Sequence, residues 1–259
     1  MTEVLQGKVV LITGAGAGIG LGMARAFHAA GALVAMGDLR HDTVERAAAD
    51  LGRERSFAGA VDVRDDASVR CFTAAAEQAL GPVTIAVANA GIYPTGAVLD
   101  MEIEEWDRVI ETNLRGTFLT CRAAARSMAT GGRPGKIITI SSGAYASARP
   151  GASHYCASKA GIVMFTKALA MELADRRINV NCIAPGYIQL DSAAPDSEFR
   201  RALLQNIPLG RFGTPADVAE IALFLASSAA DYVTGEVFAV NGGAFSGRMY
   251  LPLDTAAAQ

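Results

Sequence analysis

Seven short apolar runs punctuate the chain, KVVLIT, ALVAMGD, FAGAVDV, TIAVANAG, KIITISS, INVNCIAPG and EVFAVNGG, with Ala-rich stretches of helical pattern between them. Within the runs, apolar residues take consecutive rather than alternate positions, the pattern of strands buried on both faces. All but the last run precede a plausible helix. Strand and helix in repeated alternation predict an α/β fold: parallel neighbours need a crossover, and helical crossovers cover both faces of the sheet.

With 259 residues, 51% hydrophobic and 19% charged, the chain can bury a large core. Sheets of this size often stay undivided, so one domain over residues 1–259 is expected. A formal net charge of -3 gives no field to gather nucleic-acid phosphates or an anionic membrane surface. No apolar run reaches the roughly 18 residues of a spanning helix, and MTEVLQGK lacks the basic region of a secretory signal. Cys71, Cys121, Cys156 and Cys182 are scattered, with no CxxC pair and no histidine at ligand spacing, so no metal site or disulfide framework is expected. The expectation is a soluble cytoplasmic protein with reduced thiols and a small-molecule ligand, without nucleic-acid or membrane partners.

TGAGAGIG, Thr13 to Gly20, separates the first apolar run from the helical pattern IGLGMARAFHAAG. Strand, tight turn and helix in that order make a phosphate cradle, because glycines permit close backbone approach and the free N–H groups of the first helical turn face an anion. Gly14, Gly18 and Gly20 are spaced GxxxGxG, and Ile19 breaks the GxGxxG pattern. Asp38 ends the second run about 20 residues beyond the loop, where a carboxylate binds adenosine ribose hydroxyls and repels a 2′-phosphate. NAD is therefore expected ahead of NADP. Arg40 is the opposing signal, since its guanidinium would pair with a 2′-phosphate if it swung inward.

The segment YIQLDSAAPDSEFRRALLQNIPLGRFGTP interrupts the alternation after the sixth run. Ligands of open α/β sheets bind outside the carboxyl ends of the strands, so residues 187–210 are expected to form a substrate lid. SHYCASKAG places Tyr155 and Lys159 four apart, on one face of a helix. Alcohol oxidation needs a base at the hydroxyl, and tyrosine, with a pKa of about 10, is a poor one. A cationic lysine and a positive nicotinamide ring would favour the phenolate. Ser141 and Ser142 both end KIITISS, and either hydroxyl could orient a substrate oxygen.

Together, the glycine loop, Asp38, Asn89-Ala90-Gly91 and the Tyr155/Lys159 pair resemble the short-chain dehydrogenase/reductase family in its single-domain form. ANAGIYPTG, ETNLRGTF, IITISSGAYASARPGASHYCASKAG, INVNCIAPGYI and PLGRFGTPADVAEIALFLASSAADYVTGEVFAVNGG look like family blocks in family order, from about Lys8 to Gly243. The resemblance implies a Rossmann-type, doubly wound, seven-stranded parallel sheet, a bound nicotinamide dinucleotide, hydride transfer at a carbonyl or alcohol carbon, and a homotetramer. It matches Gly14, Gly18, Ile19 and Gly20 to the pyrophosphate turn, Asp38 to the ribose-binding acid, and Asp62 and Val63 to the pair beside adenine. Asn89, Ala90 and Gly91 match the segment under the central cofactor; Pro185, Gly186 and Ile188 match the one along the nicotinamide. Asn113, Ser142, Tyr155 and Lys159 match the catalytic set, the family's thirteen-residue interval to the tyrosine selecting Ser142 over Ser141. Asn113 would hold a water that links Lys159 to solvent.

Leu190 departs from the family pattern, which usually has a threonine there to bind the nicotinamide carboxamide; either Asp191 or Ser192 substitutes, or the lid holds the cofactor less tightly. Asn241 replaces an acid before the last paired glycines. By resemblance the substrate pocket is lined by Gly143, Ala144, Tyr145, Gly151, Ala152, Ile92, Tyr93, Pro94 and Tyr187, beside Ser142 and Tyr155. These are mostly small or aromatic, without a cluster of charge. A neutral secondary alcohol, such as a polyol, sugar or cyclic alcohol, is therefore expected, with a 3-oxoacyl-thioester reductase or a non-catalytic dinucleotide-sensing regulator as alternatives. Related ketoacyl carrier-protein reductases generally use NADPH, so the NAD preference argues for oxidation. His28 and His41 read as surface or packing residues. His154 and Cys156 flank Tyr155, His154 as a possible substrate contact and Cys156 as core or a reactive thiol.

Overall fold

A computed structural model describes residues 5–190 and 197–246. The seven apolar runs become β1 (Val9–Thr13), β2 (Leu33–Asp38), β3 (Ser56–Ala60), β4 (Val83–Ala88), β5 (Gly135–Ile140), β6 (Ile178–Pro185) and β7 (Val237–Val240). They pair in parallel throughout, in the order β3-β2-β1-β4-β5-β6-β7. This is the expected doubly wound Rossmann-type sheet. The chain builds outward from β1 to β3 and then returns to lay β4 on the other side of β1. A crevice opens at the carboxyl ends where the direction reverses.

The consecutive apolar positions of β1 are explained by two cores, one on each face. Val10 and Ile12 pack in one cluster with Met23 and Phe27 of α1 (Gly18–Ala29) and Val218 and Leu225 of α8 (Pro215–Ala226). Val9 and Leu11 face the other way, into a cluster with Val69 and Phe72 of α3 (Asp66–Leu80) and Leu119 and Met128 of α5 (Gly116–Thr130). The remaining described helices are α2 (His41–Leu51), α4 (Ile103–Val109), α6 (Ser153–Leu173) and α7 (Glu198–Gln205).

Local chemistry sets several helix starts. Asp65 caps α3 by accepting from the Ala67 and Ser68 amides, and Thr214 and Asp217 form a capping box at α8 with Pro215 in its first turn. The helical stretch EEWDRVIETNLRGTFL does not run evenly: a π-turn over Ile110–Arg115 separates α4 from α5. That wider turn carries the buried Asn113. A parallel bridge from Ile188 to Gly213 ties the root of segment 187–210 to the start of α8. Asp191 and Ser192, and the tail beyond residue 246, lie outside the described residues.

Candidate active site

A cleft of about 1230 Å³ runs over the carboxyl ends of the strands, from Asp38 and Asp62 at one end to Ser142 and Tyr155 at the other. Pockets for a single drug-sized ligand hold about 300–1,000 Å³, so this cleft exceeds what one such ligand needs.

The glycine loop forms one wall. Gly14 has φ of 67°, a left-handed conformation, and a Cβ there would stand 2.8 Å from the Ala90 Cα. At Gly20 a Cβ would meet the Gly14 carbonyl oxygen at 2.1 Å, so the first turn of α1 lies directly against the loop. Asn89, at the end of β4, locks this contact by donating from Nδ2 to the carbonyls of Thr13 (2.9 Å) and Gly14 (3.0 Å). The amino end of α1 has neither a side-chain cap nor an acidic residue in its first turn. The first N–H groups of a helix lack intrahelical partners, and the open cleft in front of this partly exposed helix start fits an anion such as a pyrophosphate.

Asp38 is held beside that loop. One carboxylate oxygen accepts from the Gly16 amide at 3.1 Å and the other from the Arg40 amide at 3.1 Å. Gly16 was not among the expected site residues, although it lies in the quoted loop. Asp62 binds the Arg64 guanidinium through both oxygens, and that hydrogen bonding holds its carboxyl below the usual carboxylate range despite partial burial. Val63 is buried against Gly116, where a Cβ would come within 2.7 Å of its side chain. Gly186 is required by packing: a Cβ would stand 2.7 Å from that of Asn241. Asn241, in place of an acid, accepts from the Gly243 amide at 2.9 Å and shapes the turn after β7. Leu190 leans over the loop, within 3.4 Å of a Cβ built on Gly18.

At the other end, Tyr155 and Lys159 project from α6 beneath the end of β5. Lys159 Nζ donates to the Ile140 carbonyl at 2.9 Å and lies 5.6 Å from the Tyr155 ring centroid. Ser141 and Ser142 both line the cleft, but the Ser141 hydroxyl is engaged, donating to the Lys159 carbonyl at 2.8 Å, while that of Ser142 stands beside the phenol. Asn113 accepts from the Ile92 amide (2.8 Å) and donates to the Ile92 carbonyl (2.9 Å) and to Ser158 Oγ (3.2 Å), which donates to the Tyr155 carbonyl at 2.7 Å. Its side chain therefore clamps the β4 loop to α6, and only one lone pair of Oδ1 remains for a water. Ser158 was missed in the sequence because its part is played from the hidden side of the helix.

The expected lowering of the Tyr155 pKa is not a property of the protein by itself. Burial pushes the phenol above its usual value and outweighs the opposing effects of Ser142 and Arg149. Burial also lowers Lys159, 4% exposed, to about 8. Below pH 8 the fold carries a desolvated ammonium; between 8 and the ordinary lysine value of 10.5 the unfolded chain binds the proton that the folded one has released. Stability contributed by this group therefore rises with pH across that window, by on the order of 3 kcal/mol in full. Urea unfolding of wild type and Lys159→Met from pH 7 to 10 checks this: the difference should move in favour of wild type as pH rises, and a constant difference contradicts it.

Other expectations need correction. Tyr145 does not line the cleft; it packs on Ile162, Val163 and Cys182, because the short 3-10 turn after Ser142 rotates it away. Gly143, Gly151 and Pro94 also stay off the cleft wall. Phe245 takes the space over Gly143, where a Cβ would clash with its ring at 2.0 Å, and its centroid lies 5.9 Å from that of Tyr187. His154 is fully buried against Trp106, with Nε2 3.5 Å from Glu105, and does not reach the cleft. Cys156 is half-buried. Charge is not lacking, since Arg108, Arg149 and Arg200 line the cleft together with Ala144, Ala152 and Tyr187.

Among the described residues no group of three or more His, Cys, Asp or Glu side chains could hold a metal ion, and no helix is long and apolar enough to cross a membrane. A family model described as Enoyl-(Acyl carrier protein) reductase matches residues 14–244. A protein named inactive 2-(S)-hydroxypropyl-CoM dehydrogenase 2, from Xanthobacter autotrophicus, is 42% identical over 228 residues, covering 85% of this chain and 98% of its own. The 3-oxoacyl-[acyl-carrier-protein] reductase FabG of Chlamydia muridarum is 39% identical over 248 residues, 94% of this chain and 99% of its own. The crystal structure of a short-chain type dehydrogenase/reductase from Mycobacterium marinum superposes with a TM-score of 0.89 at 39% identity, over 94% of this chain and 97% of that one. Sheet order, cleft and relatives agree: the chain belongs to the short-chain dehydrogenase/reductase family, oxidoreductases that bind a nicotinamide dinucleotide and act on small molecules.

Proposed function

We propose that the protein moves hydride between a secondary alcohol and NAD. The observation that carries this reading is a single cleft with the glycine loop and Asp38 at one end and Ser142, Tyr155 and Lys159 at the other. Gly14, Gly18, Ile19 and Gly20 would hold the pyrophosphate and Asp38 the adenosine ribose. Asp62 and Val63 would flank adenine, Asn89 to Gly91 would lie under the middle of the dinucleotide, and Pro185, Gly186 and Ile188 would run along the nicotinamide. The bound dinucleotide supplies the hydride acceptor.

Tyr155 exchanges the proton of the substrate oxygen, and Ser142 orients that oxygen through a hydrogen bond. Lys159 keeps positive charge under the phenol and favours phenolate as the proton is taken. Residues 187–210, of which 191–196 lie outside the described residues, would form the lid, a reading supported by Ser197, Arg200 and Leu203 lining the cleft.

A second reading is reduction of a 3-oxoacyl thioester with NADPH. Burial keeps the Tyr155 phenol protonated, the form that gives a proton to a carbonyl oxygen, and Arg40 has no acceptor for its guanidinium among the described residues. A nicotinamide-absorbance screen of polyols, sugars, cyclic alcohols and β-hydroxyacyl thioesters with both dinucleotides separates the two. Turnover of an alcohol with NAD at least tenfold faster than with NADP is the expected result. Activity confined to thioesters with NADP(H) would install the second reading, and dinucleotide binding without any turnover would favour a sensor.

A further inference from the structure

Resting on the hydride-transfer reading, we propose that Arg149 binds an anionic oxygen group, a carboxylate or a phosphate, on the substrate. The substrate is then a hydroxy acid or hydroxy phosphate, or the matching oxo compound, rather than a neutral alcohol.

Arg149 lies in the loop between Ser142 and Tyr155, the two residues placed at the reacting oxygen, and lines the same cleft. The loop is braced on both sides: the Ala152 amide donates to the Arg149 carbonyl at 3.2 Å, and the Gly96 amide to the Gly151 carbonyl at 2.9 Å. Other arginines on the wall are already engaged. Arg64 is bound to Asp62, Arg108 pairs with Glu105 at 3.8 Å, and Arg200 donates to Gln189 while stacking on Phe212. Apart from Arg40 at the adenosine end, Arg149 is the cleft guanidinium with no acceptor among the described residues.

The only acids lining the cleft among the described residues are Asp38 and Asp62, both at that far end. Around Tyr155, then, an exposed guanidinium with no protein acceptor among the described residues stands on a stretch of wall where the described residues include no acid, the arrangement suited to bidentate capture of carboxylate or phosphate. The Arg149 charge already acts on Tyr155, favouring its phenolate.

The test uses the full chain with NAD and NADP, and a panel of short hydroxy acids, their methyl esters and the corresponding hydroxyalkyl phosphates, each also as the oxo form. Wild type should prefer an anionic member over its neutral partner, and the arm that turns over best identifies carboxylate or phosphate. Arg149→Gln should cut that preference about 10- to 100-fold, mainly through KM, and should raise the pH at which the Tyr155 phenol titrates. Arg149→Lys should restore part of the preference, as a point charge without the fork. Equal loss on acid and ester, or no anionic preference in wild type, overturns the proposal while leaving hydride transfer intact. If no member turns over with either dinucleotide, hydride transfer of these substrates fails separately, and calorimetry decides the anion site. Binding of an acid or phosphate that Arg149→Gln weakens sustains it; no such binding refutes it.

Discussion

Tyr155→Phe is expected to lower turnover about 100- to 10,000-fold, the range in which a positioned acid or base contributes, while dinucleotide affinity changes less than about threefold. The substitution removes one hydroxyl and keeps the ring, which meets Tyr93 edge-on at a centroid distance of 6.5 Å. The backbone of Tyr155 is held independently, through its carbonyl to Ser158 and on to Asn113. Folding and the cofactor end of the cleft are therefore left alone. Steady-state rates on the best substrate, with calorimetric titration of the dinucleotide, check the split. Ordinary turnover by the variant would remove the phenol from the chemistry.

Gly20→Ala is expected to abolish dinucleotide binding, with affinity falling at least about 100-fold, and to destabilise the fold by about 1–3 kcal/mol. The new methyl would sit 2.1 Å from the Gly14 carbonyl oxygen and 2.6 Å from Asn89 Nδ2. Both are fixed, one as backbone and the other by its bonds to Thr13 and Gly14. Relief requires the amino end of α1 to move away from the loop, which takes its N–H groups from the place where a pyrophosphate would bind. Calorimetry and thermal unfolding together measure the two effects; near-wild-type affinity would show that the loop does not hold the cofactor through close approach.

Much of this was legible because it depends on local pattern. The two-faced burial of β1 appears directly in KVVLIT, as each successive side chain enters the opposite core. The glycine loop and Asp38 are recognisable from residue types at fixed spacing, and Tyr155 and Lys159 from the family resemblance, which their i, i+4 spacing suits but does not by itself establish. Residues whose placement hangs on an irregular turn were not legible. Tyr145 is three residues from Ser142 yet turns into the α6 packing, and Asn113 gains its partners only because the π-turn swings it inward. Phe245, beyond the last recognisable block, returns to cover Gly143.

The sequence by itself determined the alternating α/β layout, since it follows from neighbours within a strand and the helix after it, and it singled out the glycine loop and the Tyr155/Lys159 pair as site candidates. Only the tertiary structure decided the strand order that opens the crevice between β1 and β4 and the engagement of the Ser141 hydroxyl by the Lys159 carbonyl. It also decided the balance of charge at Tyr155, where burial lifts the phenol and Arg149, without an acceptor among the described residues, lines the same cleft. The reason is physical: desolvation and hydrogen-bond satisfaction depend on which groups from distant parts of the chain share a volume, and spacing along one strand or helix carries no record of that.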